Sequence, residues 1–162
     1  MKKYCTLLFI LSSIICVSQE KDCGCKTFKM DSIILKQCKP YIVASEQDYQ
    51  IAFAVSYVET KKYVILTLMY LNSDSSIVNS DLMIFTEANN VVNLKLLDTT
   101  KDFVGGRKIS HAKYELTNMN FEILKLEKIT DIRFTISDND NHKTHKIKYN
   151  SDVLYNQLNC KL

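Results

Sequence analysis

The chain has 162 residues, a formal net charge of +3 at pH 7, three glycines and one proline. A balance this close to neutral supplies no long-range field for nucleic acid or an anionic membrane. So few glycines exclude a glycine-rich phosphate loop, and the lack of a flexible linker favours a single domain.

The first eighteen residues have the layout of a secretory signal peptide. Two lysines open the segment, an apolar run follows from Thr6 to Val17, and small residues precede polar Gln19. Because a membrane span needs about 20 apolar residues, an uncleaved anchor is the weaker alternative. We therefore predict that residues 1–18 are removed and that residues 19–162 form one exported domain, periplasmic or secreted, with no membrane span.

The predicted mature domain keeps four cysteines, which are Cys23, Cys25, Cys38 and Cys160. An even number in an exported chain predicts two disulfides, with three possible pairings. Only Gly24 separates Cys23 from Cys25, so a bond between them would close a strained ring. We expect one of them to pair with Cys38 and the other with Cys160. The alternative is that Cys23-Gly24-Cys25 is a redox or metal-binding pair.

The first half of the mature chain is predicted to be mostly β-strand. Thr27–Lys36 contains alternating and apolar stretches. Tyr49–Val58 alternates strictly, which is typical of a half-buried strand. Tyr63–Leu71 is almost continuously apolar, which fits a central strand covered on both faces. Two further strands, Asp81–Thr86 and Val91–Leu97, flank a turn at Asn89-Asn90, since asparagine tolerates left-handed backbone.

The second half is predicted to contain a loop, three strands and two helices. The loop, Asp98–Arg107, holds Gly105-Gly106. The period changes over Thr117–Glu127, which predicts a short helix capped by Asn118 or Asn120. The other predicted elements are strands at Lys108–Leu116, Ile129–Ser137 and Lys143–Tyr149, and a helix that opens at Asn150-Ser151-Asp152 and runs through Asn159.

This order of elements predicts a mainly β fold. Seven or eight strands with turns at short intervals are typical of an antiparallel β-sandwich or a strongly curved sheet. The short helix and the C-terminal helix are expected to dock on it.

An acidic turn and two histidines are the candidate metal ligands. Asp138–His142 alternates acids and amides like the first half of a calcium loop, but Lys143 and Tyr149 stand where such a loop has glycine and glutamate. We interpret the run as a solvated hairpin turn. His142 and His145 are three residues apart and point to opposite faces of a strand, so they do not readily share a metal ion. A weak surface site for a transition metal is the less favoured alternative.

No catalytic residue, cofactor or metal site is predicted. The serines lack the context of a nucleophile elbow, and the sequence cannot bring acids such as Glu115 and Glu122 together. Tyrosine is common at recognition surfaces, so four strand tyrosines are candidates for a binding face, although core or edge packing is the commoner role. These are Tyr57, Tyr63, Tyr70 and Tyr114.

The order of several segments resembles that of small exported β-rich bacterial proteins of unknown function. The segments are Phe28-Lys29-Met30-Asp31 after an early cysteine, Asn79–Phe85, Val92–Leu96, Tyr114–Leu116 and Ile129–Phe134. The hairpin of those proteins has Gly-Asp before its first strand and Asp-Gly at its turn, where this chain has Ser80-Asp81 and Asn89-Asn90. The resemblance implies a fold and a compartment and brings no catalytic residues.

The predicted leader, disulfides and β-pattern together favour a non-enzymatic exported domain that binds a protein, glycan or envelope component. Two alternatives remain. One is a small envelope hydrolase whose acid pair forms only in the fold. The other is a metal-binding or thiol-redox accessory protein that uses Cys23, Cys25 or the histidines. Nucleic acid is not an expected partner.

Overall fold

The computed structural model describes residues 23–30, 33–72, 76–137 and 139–160. The predicted signal peptide, residues 1–18, lies outside this part of the chain and stays a prediction. The described residues form two antiparallel sheets and two short helices, which confirms the predicted mainly β, sandwich-like fold. Neither of the helices in these ranges has the length and apolar character that crossing a membrane requires.

The larger sheet has seven strands. They are β1 (Cys25–Met30), β2 (Ile33–Cys38), β3 (Tyr41–Ser45), β4 (Tyr49–Val58), β5 (Lys61–Tyr70), β8 (Leu96–Val104) and β9 (Arg107–Glu115). Their order across the sheet is β1-β2-β4-β5-β9-β8, and β3 also pairs with β4. Strands β2 and β3 therefore follow one another along the same side of β4, with Lys39-Pro40 between them.

The smaller sheet has four strands in the order β11-β10-β6-β7. They are β6 (Leu82–Thr86), β7 (Val91–Leu94), β10 (Ile129–Ile136) and β11 (Asn139–Lys146). The helices are α1 (Asn118–Leu124) and α2 (Val153–Leu158). The Asn89 backbone between β6 and β7 has φ 63°, the left-handed conformation predicted for that turn.

The hydrophobic core lies between the two sheets and under the helices. Strand β4 contributes Ile51, Phe53 and Val55, the face that its alternation predicts. The smaller sheet contributes Ile84, Ile132 and Phe134, and α2 contributes Val153, Leu154 and Leu158. The C-terminal helix is thus docked on the core, as expected from its apolar stripe.

Several predicted boundaries were wrong. Thr27–Lys36 is not one strand but the hairpin of β1 and β2, and β3 was not predicted at all. Asp98–Arg107 is not a loop, because β8 covers most of it. As an edge strand that is exposed on both faces, β8 has no apolar alternation to detect. The predicted strand Val91–Leu97 breaks at Lys95, where the chain passes from the smaller sheet to the larger one.

The remaining corrections concern element ends. Helix α1 is capped by Thr117, whose hydroxyl accepts a hydrogen bond from the Asn120 amide at 3.3 Å, and not by Asn118 or Asn120. The strand predicted at Lys143–Tyr149 begins earlier, so Asn139–His142 of the predicted turn belongs to β11.

A glutamine of α2 fills a gap in the larger sheet. The bend at Lys39-Pro40 interrupts the ladder between β4 and its neighbours β2 and β3. The Gln157 side chain accepts a hydrogen bond from the Val55 amide at 2.8 Å and donates one to the Lys39 carbonyl at 2.7 Å. It thereby replaces the strand partner that the bend removes.

Polar bridges join the two sheets along one side of the sandwich. A bulge in β3 at Val43 turns its carbonyl toward the segment after β11, where it accepts hydrogen bonds from the Lys148 and Tyr149 amides at 2.8 and 3.1 Å. Glu46, just after β3, reaches His145 on β11. These bonds fix how far apart the two sheets stand at this side.

Candidate functional site

The four cysteines lie together where the two ends of the described chain meet. Cys23 is bonded to Cys160 and Cys25 to Cys38, with sequence separations of 137 and 13 residues. This is one of the two pairings left open by the expectation that Cys23 and Cys25 bond to different partners. The Sγ atoms of Cys23, Cys25 and Cys160 all lie within 4.8 Å of one another, and Cys38 Sγ is bonded to one of them. We refer to the four as the sulfur cluster.

Local backbone geometry builds the sulfur cluster. Cys25 and Cys38 face each other in the β1–β2 ladder, so their side chains share one face. Gly24 has φ 65° and its carbonyl accepts a hydrogen bond from the Lys39 amide at 2.8 Å. A Cβ at this position would lie 3.0 Å from the Tyr41 hydroxyl, so both the conformation and the close approach require glycine.

A buried lysine stands beside the sulfur cluster. Lys36 lies two residues before Cys38 on the same face of β2, and only 5% of its surface is exposed. Its Nζ lies 5.1 Å from the centre of the Tyr57 ring and has no hydrogen-bond partner among the described residues. Burial lowers the pKa of Lys36. The role of Lys36 was not predicted, because strand periodicity does not show which face of β2 is covered.

Half-buried Glu46 and fully buried His145 form a polar pair between the sheets. His145 Nδ1 lies 3.1 Å from Glu46 Oε1, while its ring stacks on Phe134 at 4.8 Å between centroids and meets Tyr49 edge-on. Burial lowers the pKa of His145, and the contact with Glu46 opposes this only in part. The Nε2 atom is buried without a partner among the described residues, so this histidine has the surroundings of a core residue.

The structure describes the other candidate metal ligands only in part. Asp138 lies outside the described residues, and the side chains of residues 139–141 are not described either. His142 is exposed, and its Nδ1 lies 2.8 Å from Thr135 Oγ1. His145 is buried on the opposite side of β11, the arrangement that a spacing of three gives on a strand.

Three of the four candidate tyrosines point into the protein. Tyr114 donates a hydrogen bond to the Ser80 carbonyl at 3.3 Å, Tyr70 to the Ser76 carbonyl at 2.8 Å and Tyr57 to the Gln157 carbonyl at 3.3 Å. Tyr63 lies on the outer face of the larger sheet, the face turned away from the core, but Lys113 Nζ covers its ring at 4.0 Å. The tyrosines therefore do not form a common binding face.

Among the described residues, no contact joins Glu115 and Glu122, the two acids considered for a hydrolytic pair. Glu122 pairs with Lys125 at 3.4 Å on α1, whereas Glu115 lies opposite Tyr63 at the end of β9. An open groove of about 410 Å³ at the β8–β9 hairpin contains one carboxylate, Asp102. That carboxylate accepts a hydrogen bond from the Phe103 amide at 2.7 Å, so the groove has no second acid to complete a pair.

An exposed apolar surface lies at the β1–β2 end of the outer face of the larger sheet. Phe28 faces Leu35 across the hairpin, and Leu35 faces Val58 on β4. Ile33 lies on the same face, two residues before Leu35. Phe28 and Ile33 expose 46% and 45% of their surfaces, and Leu35 and Val58 are half-buried. We call these four residues the hairpin patch.

Lysines flank the hairpin patch on two sides. Lys26 precedes Phe28 by two residues on β1, and Lys61 faces Val58 across the β4–β5 pair. Both are exposed. An apolar centre with a charged rim is the usual arrangement of a protein-binding surface. The common face of Phe28, Ile33 and Leu35 was not predictable, because it forms only when Thr27–Lys36 folds back as the hairpin of β1 and β2.

No protein-family model matches the chain, and searches of curated proteins and of solved structures find no match either.

Proposed function

We propose that the protein is an exported, non-enzymatic domain that binds a protein partner through the hairpin patch. Export is supported by the signal-like layout of residues 1–18 and by two disulfides, which persist in oxidising compartments. The observation that carries the binding proposal is the exposure of Phe28 and Ile33 beside Leu35 and Val58 on one sheet face.

The composition of the hairpin patch favours a protein over a glycan. Sugar hydroxyls need hydrogen-bonding groups beside the aromatic ring on which the sugar stacks. The cross-strand neighbour of Phe28 is Leu35, followed by Val58, and Ile33 completes the same surface. An aromatic ring among branched aliphatic side chains instead fits an apolar anchor from a protein. Because Lys26 and Lys61 flank the patch, the partner is expected to carry carboxylates around that anchor.

A site-specific photo-crosslinker tests the binding proposal in the native host. We expect a crosslinker at Val58 to give one adduct of discrete mass, and a crosslinker at exposed Lys146 on β11 to give none. The substitution Phe28→Asp should abolish the Val58 adduct without changing the circular dichroism spectrum. Equal labelling at Lys146, an adduct with the mass of two chains, or a Val58 adduct that survives Phe28→Asp would contradict the proposal.

Export is tested separately by the intact mass of the protein from the native host. The expected mass is that of a chain beginning at Gln19 and lacking four hydrogen atoms, one pair for each disulfide. A mass that includes residues 1–18 would contradict the export proposal and leave the binding test unaffected.

A further inference from the structure

We propose that the sulfur cluster is a zinc site when its cysteines are reduced, with Cys23, Cys25, Cys38 and Cys160 as the four ligands. The proposal is independent of binding at the hairpin patch. One disulfide joins the segment before β1 to the segment after α2, and the other joins β1 to β2. The metal would hold the same segments together in place of these bonds.

The positions of the sulfur atoms carry this inference. In a tetrahedral site with Zn–S bonds of about 2.3 Å, neighbouring sulfurs stand about 3.8 Å apart. The Sγ atoms of Cys23, Cys25 and Cys160 already lie within 4.8 Å of one another. Cys38 faces Cys25 directly across the ladder and is bonded to it, so opening that disulfide frees a fourth thiol next to Cys25. The Cys38 side chain then has to rotate toward the other two sulfurs to complete the site, because it is not among the three that lie within 4.8 Å of one another.

The neighbouring charge also favours metal binding by thiolates. Zinc with four thiolates carries a net charge of −2, whereas two disulfides carry none. The buried Lys36 ammonium has no hydrogen-bond partner among the described residues and shares a face with Cys38. A thiolate–zinc centre would supply the countercharge that this cation lacks, and outer groups of this kind tune metal affinity.

The two states interconvert with balanced chemistry. A dithiol reductant transfers two electrons and two protons to each disulfide and is itself oxidised to a disulfide, which leaves four thiols on the protein. Zinc binding then replaces the four thiol protons, which are released to solvent. Oxidation of the four thiolates by a disulfide oxidant restores the two bonds and releases the ion.

Cobalt(II) is the spectroscopic probe for this site. The purified protein is reduced with a phosphine, freed of reductant without oxygen, and titrated with Co²⁺. We expect thiolate-to-cobalt charge-transfer absorption and tetrahedral d–d bands that saturate at one equivalent and vanish when Zn²⁺ is added. Circular dichroism during the titration shows whether metal restores strand structure if the reduced chain unfolds. The oxidised protein is the matched control and should give no bands.

Two variants distinguish a preorganised metal site from nonspecific binding by free thiols. Cys38→Ser should weaken zinc binding by at least about 10-fold and change the cobalt bands to those of a site with an oxygen ligand. Lys36→Met should keep four-sulfur bands but lower affinity by roughly 10-fold, whereas Lys29→Met on the exposed hairpin should not. The proposal would be overturned if no charge-transfer bands appeared. It would also be overturned if the reduced protein, the Cys38→Ser variant and the urea-unfolded chain all bound the metal with equal affinity.

Discussion

Replacing Gln157 with leucine tests how the larger sheet is completed between β2 and β3. The Gln157 side chain is buried, with 1% of its surface exposed, and bonds the Val55 amide and the Lys39 carbonyl. Leucine has a similar volume, so the substitution removes both hydrogen bonds without leaving a large cavity. The change therefore isolates the cost of two unpaired backbone groups.

The expected destabilisation follows from the burial of those two groups. Val55 is fully buried, so its unpaired amide should cost about 1–3 kcal/mol. Lys39 is exposed, and water can partly replace the bond to its carbonyl. We expect a total loss of about 2–3 kcal/mol in the free energy of unfolding. For a domain of this size that lowers Tm by roughly 5–12 °C.

Urea unfolding with the disulfides intact, followed by circular dichroism, measures this loss. Tyr155→Leu is the matched control, because Tyr155 lies on the same helix with its side chain exposed. Hydrogen exchange at the Val55 amide gives a local readout and should accelerate only in Gln157→Leu. If the free energy of unfolding of Gln157→Leu were within about 0.5 kcal/mol of the parent value and Val55 exchange were unchanged, these two hydrogen bonds would not stabilise the sheet.

The pH dependence of stability, the β8 edge and the glycine of the sulfur cluster give three further predictions. Burial lowers the pKa of His145, so the unfolded chain binds this proton more readily, and stability should fall as pH drops below about 6.5. Glutamine at this position can still donate a hydrogen bond to Glu46, so His145→Gln should flatten the pH dependence of stability measured in urea titrations. On the edge strand β8, the Asp98 and Asp102 carboxylates accept hydrogen bonds from the Thr99 and Phe103 amides at 2.8 and 2.7 Å. Alanine at both acids should therefore expose these backbone amides and promote self-association in sedimentation experiments, whereas asparagine at both should not. Gly24→Ala should lower stability by about 1–3 kcal/mol in thermal unfolding, because alanine is strained at φ 65° and its Cβ meets the Tyr41 hydroxyl.

Each of these predictions has a contrary outcome. An unchanged pH slope in His145→Gln would show that a group other than His145 controls stability in that range. If the alanine and asparagine variants associated equally, this would show that the charge of β8, rather than hydrogen bonding of its backbone amides, prevents two chains from associating. A Gly24→Ala protein of parental stability would show that the backbone there relaxes without cost.

The interior strand β4 was predictable from the sequence, whereas the edge strand β8 was not. β4 alternates because one face meets the core, and its predicted bounds, Tyr49–Val58, are those in the structure. β8 is exposed on both faces, so composition alone made it resemble a loop. The break at Lys95 was also invisible, because β7 and β8 run on in sequence while belonging to different sheets.

Alternation and the short Cys-Gly-Cys spacing are local properties, so the fold class and the different partners of Cys23 and Cys25 could be predicted without a structure. Three features became visible only in three dimensions: the pairing of the cysteines, the completion of the ladder by Gln157, and the burial of Lys36 beside the sulfurs. These features join segments that are far apart in the chain. Periodicity specifies which face of an element is apolar, but it carries no information about which distant residue packs against that face.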